Sequence, residues 1–63
     1  MTAIAELSSV ATALEELLHR VTGIADDIAH SQQETLSSEL YEVERTLGTA
    51  HRRLVRLIDA TRP

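Results

Sequence analysis

Glu16-Leu17-Leu18-His19 sets a carboxylate and an imidazole three residues apart. On helices lining a four-helix bundle, that step supplies both ligand types to a di-metal site. Whether it does so here depends on which way Glu16 and His19 face once the chain is helical. The second chemically pointed stretch is His51-Arg52-Arg53-Leu54-Val55-Arg56, a run of cations in a chain whose net charge is −4. Ser, His and Asp are also present, but no nucleophile, base and acid occur at a spacing that converges on one site. The sequence has no cysteine, which excludes disulfides and thiolate metal sites.

The elements that carry these residues follow from two heptad runs. Leu7, Leu14, Val21 and Ile28 recur every seven residues, as do Ala3, Val10, Leu17 and Ile24. Labelled a and d of a heptad a–g, they predict a helix over about 3–30. In the second run Leu40, Leu47 and Leu54 occupy a, and Leu36, Val43, Ala50 and Leu57 occupy d, which predicts a helix over about 32–60. The runs are out of phase, so a break falls between them. There Ser31-Gln32-Gln33-Glu34 fits a capping box opening the second helix. A short break joins antiparallel neighbours. The expected fold is all-α: one domain, 1–63, forming an antiparallel two-helix hairpin. With a packed beside d, partner numbers should add to 64, which pairs Leu7 with Leu57, Leu17 with Leu47 and Ile28 with Leu36. On this register Glu16 lies at c and His19 at f, both pointing away from the seam. The pair then reads as solvated surface, and no cofactor is expected. A metal-binding bundle using Glu16 and His19 survives only as a site shared between subunits.

A chain of 63 residues buries only about 60% of the surface its unfolded state exposes, so a lone hairpin is marginal. The first helix also carries a further stripe at e, Ile4, Ala11, Leu18 and Ala25. The matching flank of the second helix carries Tyr41, Gly48, Val55 and Ile58. An a/d/e stripe is wider than one hairpin seam requires. These eight residues are therefore expected to form a homodimer interface, completing a four-helix bundle. Residues 1–44 hold nine acids and one Arg, whereas residues 45–63 hold five Arg and one acid. Folding places Asp26, Asp27, Glu34 and Glu39 near the loop and Arg52, Arg53, Arg56 and Arg62 near the termini. Loops at opposite ends of the dimer would bring unlike ends together.

Arg45, Arg52, Arg53 and Arg56 are the expected partner-binding residues, with Arg53 at the seam edge within reach of Glu6. The reading is a non-enzymatic helical hairpin that self-associates and works by protein–protein contact, as an adaptor, regulator or assembly component. The alternative is an RNA-binding dimer using the same four arginines, an architecture similar to the ROP-type hairpin dimers that bind paired RNA loops. An acidic molecule with Tyr41 as its only aromatic argues against nucleic acid. Ser37-Ser38-Glu39-Leu40-Tyr41 partly resembles the Ser-Gln-Glu-Leu-Asp motif of the small sporulation aspartyl-phosphate phosphatases, which are also helical hairpins. Tyr41 replaces the acid that the family's chemistry needs, so the resemblance does not extend to the activity. Ala29-His30-Ser31 begins like a phosphotransfer histidine motif, but Gln32-Gln33 follow it. The start MTAIAEL lacks a basic, then apolar leader, and no stretch has the length of a membrane span. A cytoplasmic location is expected, and the Arg-only cation usage fits a GC-rich bacterial or phage genome.

Overall fold

A computed structural model describes residues 2–61, so Arg62 lies outside the described residues. Two helices make up the fold, α1 over Ala3–His30 and α2 over Glu34–Ala60, packed against each other as an antiparallel hairpin. No strand occurs among the described residues. The Cα framework is a rod of 49 × 17 × 12 Å. α1 starts where the heptad pattern starts: the Thr2 hydroxyl accepts from the Ala5 amide at 3.2 Å, satisfying one of the first-turn donors, and Glu6 suits the positive end of the helix dipole.

The turn is built differently from the expected capping box. Ser31 closes α1 instead of opening α2: its amide and its hydroxyl both donate to the Ile28 carbonyl, at 3.0 and 2.7 Å. Gln32 follows with φ of 68°, and its amide donates to the Ala29 carbonyl. This is a left-handed C-terminal stop, the role usually taken by glycine. α2 then begins two residues later than expected, with Gln33 as a cap that makes no side-chain bond.

The seam also differs from the expected a/d pairing. Ala11, Ala25, Ser37, Gly48 and Ile58 are the buried residues, and Ala25 is fully enclosed. These lie at the e and b positions, with the a-position Leu14, Leu40, Leu47 and Leu54 half-buried beside them and Leu7 exposed. Cross-helix contacts fix the register: Leu18 with Gly48, Thr22 with Glu44 and Glu15 with His51 have partner numbers adding to 66, and Asp26 with Tyr41 to 67. The expected value of 64 is therefore corrected by two residues. The physical reason is side-chain size. Ala, Ser and Gly let the two backbones approach, whereas a d-on-a seam would hold bulky Leu, Val and Ile side chains between them. Arg53 consequently does not pair with Glu6, which stands level with residue 60, about two helical turns away.

Both turn and helix carry residues that sequence change should improve. Gln32→Gly should raise stability by roughly 0.5–1 kcal/mol, because glycine removes the Cβ conflict of the left-handed conformation. A methyl group added at Gly23 meets nothing within 4 Å. Gly23→Ala should therefore add about 1 kcal/mol through helix propensity alone. Thermal unfolding followed by circular dichroism checks both, and a fall in melting temperature for either variant would contradict the local geometry described.

Candidate functional site: two unlike faces of one hairpin

The roll of the helices divides the rod into two faces. Measured from the buried e position, d lies about 100° to one side of the helix and f about 100° to the other. Because α2 runs antiparallel to α1, the sense of its wheel is reversed when both are viewed along one axis. The d stripes of the two helices therefore emerge on the same side of the hairpin, and the f stripes emerge on the opposite side.

The d side is apolar. Val10, Leu17 and Ile24 of α1 and Leu36, Val43 and Leu57 of α2 are each between 46 and 64% exposed. Ala3 and Ala50 complete the two stripes, and both are exposed. Between the stripes run the half-buried Leu14, Val21, Ile28, Leu40, Leu47 and Leu54. No large side chain among the described residues is fully buried. The seam is thus built mostly of small residues with Ile58 among them, while the other large aliphatic residues are half-buried or exposed.

The f side is polar and holds the cross-helix hydrogen bonds. The Thr22 hydroxyl donates to the Glu44 carboxylate and also lies 3.0 Å from the Leu18 carbonyl. The Tyr41 phenol donates to Asp26 Oδ1, and His51 Nε2 stands 3.9 Å from Glu15 Oε2. The bond to the Asp26 carboxylate holds the proton on Tyr41 and raises its pKa above the ordinary tyrosine value. Desolvation and the negative charges of Asp26 and Glu44 act in the same direction.

The residues expected to do chemistry sit on and around this polar side. Glu16 and His19 are exposed on α1. Among the described residues no group of three or more His, Asp or Glu is arranged to hold a metal ion. His19 instead borders a shallow groove of ≈ 500 Å³ together with Thr22, Tyr41, Glu44, Arg45 and Arg52. Arg45 is paired with Glu42 at 3.2 Å, and Arg52 donates to the Thr49 hydroxyl at 3.3 Å. Arg52 and Arg56 flank His51 and Val55. Arg53 lies at g, sharing a shallow groove with Arg45, Thr46, Thr49 and Ala50 on the flank of the apolar face. The four arginines lie along adjoining shallow grooves, with Glu42 and Glu44 among them.

The eight residues expected at a dimer interface have a different place. Ala11, Ala25, Gly48 and Ile58 are buried between the two helices of a single chain, and Ile4, Leu18, Tyr41 and Val55 border them. That stripe is the hairpin's own seam, and the a/d stripe taken for the seam is the exposed face. The missed signal was the polar one: Glu15, Thr22, Glu44 and His51 sit at b and e, where they reach each other only if those positions face across the hairpin.

No protein-family model, curated protein or solved structure matches this chain. No described helix is long and apolar enough to cross a membrane.

The polar side generates a direct test. Tyr41 is the sole tyrosine, so absorbance near 295 nm follows its ionisation alone. Its midpoint should lie above the free-tyrosine value and fall back toward it in Asp26→Asn. The folded state holds this proton more tightly than the unfolded chain. The contribution is therefore intact below the unfolded tyrosine pKa and disappears as pH rises through the folded one. A midpoint unmoved by Asp26→Asn would mean the Tyr41–Asp26 bond does not persist in solution.

Proposed function

We propose that this chain is a small non-enzymatic helical-hairpin protein that self-associates and acts through protein–protein contact, with the a/d face as its working surface. The observation that carries the reading is the alignment of Val10, Leu17, Ile24, Leu36, Val43 and Leu57, all near half exposed, on one side of a two-helix rod. Single exposed aliphatic residues are ordinary, but a contiguous apolar patch on so small a molecule marks a surface that is covered in use. Covering these six half-exposed side chains would contribute roughly 1 kcal/mol each. The sum is comparable with the whole stability of about 5–15 kcal/mol typical of a folded domain. The polar face, with His19, Arg45, Arg52 and Arg56, stays accessible when the apolar face is covered and is available to a further protein. Its mixed charge suits a partner that offers both carboxylates and cations better than it suits a uniformly anionic one.

Solution mass by light scattering across a concentration series tests this reading. The wild type should run at twice the 7.0 kDa chain mass. Its melting temperature should rise with concentration, as association linked to folding requires. Leu17→Glu should return the mass to that of one chain, whereas Ser38→Glu on the polar face should leave it unchanged. Leu18→Glu, which charges the seam inside the hairpin, should abolish the helical signal itself. A wild type that stays monomeric, or a Leu17→Glu variant that stays dimeric, would remove the a/d face as a self-association surface.

A further inference from the structure

Resting on the self-association reading, we infer that the apolar face is covered by a second copy lying with its loop at the opposite end. In this arrangement α1 packs on α1 of the partner subunit and α2 on α2 of the partner subunit. The face suits a copy of itself in extent. It belongs to a rod 49 Å long and 17 Å wide, enough for the roughly 800 Å² per partner of a standard specific interface. It is also apolar along both stripes, so that Val10 can meet Ile24 and Val43 can meet Leu57 of the partner subunit on either side of the centre, while Ala3 and Leu36 lie at the ends of the contact.

Closed pairing of identical chains is twofold, and two axes bring this face against itself. An axis along the rod sets both loops at the same end and lays α1 over the partner's α2. An axis across the rod, in the plane of contact, sets the loops at opposite ends. Charge separates the two. Residues 24–42, around the loop, carry five acids and no arginine, while residues 45–56 carry four arginines and no acid. With loops together, the two acid-rich ends lie side by side. With loops apart, they stand at opposite ends of a 49 Å rod, several times the screening length of about 8–10 Å. Each then lies level with only Glu6 and Asp59 of the partner subunit, two acids in place of five, with Arg52, Arg53 and Arg56 of the partner subunit further toward the middle. Along the flank of the interface each arrangement makes one kind of like-charge approach, Asp27 with Glu39 in the first and Glu6 with Asp27 in the second. The difference therefore rests on the ends.

The hairpin register makes the geometry specific. Leu17 and Ala50 stand level on the two helices, at the middle of the rod. The axis across the rod brings Leu17 against Leu17 of the partner subunit and Ala50 against Ala50 of the partner subunit. The axis along the rod brings Leu17 against Ala50 of the partner subunit instead.

The protein has no cysteine, so single Leu17→Cys and Ala50→Cys chains can be oxidised separately and as an equimolar refolded mixture, then resolved on a non-reducing gel. The proposed arrangement predicts that each variant cross-links to itself, at least tenfold faster than Ser38→Cys on the polar face, and that the mixture yields no heterodimer. Cross-linking confined to the mixture would overturn the opposite-loop arrangement and leave self-association through this face standing. Cross-linking in neither, with light scattering of the reduced variants giving the mass of two chains, would place the contact elsewhere and overturn both. A single-chain mass for the wild type would remove self-association itself, and the arrangement with it.

Discussion

The structure depends on how closely two helix backbones are allowed to approach. Ala11 and Ala25 on one side and Ser37, Gly48 and Ile58 on the other are buried between α1 and α2, and the first four have side chains small enough to bring the helices together. That choice fixes the roll of each helix about its own axis. Once e and b face inward, a is left half-covered at the edge and d is carried out to the surface. Nothing else in the fold can then be chosen independently. The polar pairs Thr22–Glu44, Tyr41–Asp26 and His51–Glu15 follow on one side, and the exposed Leu, Val and Ile follow on the other.

The two sides also differ in what they specify. Apolar contact is non-directional and tolerates sliding by a turn, whereas a hydrogen bond between a phenol and a carboxylate does not. The polar side therefore holds the register of the hairpin, and the small-residue seam supplies the contact. An arrangement with the a/d stripes inward would have buried more bulky aliphatic surface in one chain. It would also have left Thr22, Glu44 and Glu15 without their cross-helix partners.

Much of this was legible in the residues, and the limits have physical causes. The helical hairpin and both ends of α1 follow from uninterrupted heptads. The start of α2 was displaced because Ser31 satisfies α1's carbonyls while resembling the first residue of a capping box, and because Gln32 takes a left-handed conformation that sequence rarely advertises outside glycine and asparagine. The seam was misassigned because counting apolar residues favours the stripe with more Leu and Val. Small residues score low on such a count, yet they decide which stripe can come close.

A hairpin of this kind has little stability to draw on as a single chain. None of its described large side chains is fully enclosed, and it has neither disulfide nor thiolate metal site to restrain it. The apolar face is thus both the largest unspent source of stabilisation and the largest exposed liability of the chain. On the proposed reading both would be resolved by the same event, the covering of that face, which would link folding to association. The polar face is under no such demand. Within its groove, Thr22, Tyr41 and Glu44 hold the register, whereas His19, Arg45 and Arg52 make no bond across the hairpin and are free to vary. On the proposed reading, selectivity toward a further protein would rest on those side chains, which the fold does not need.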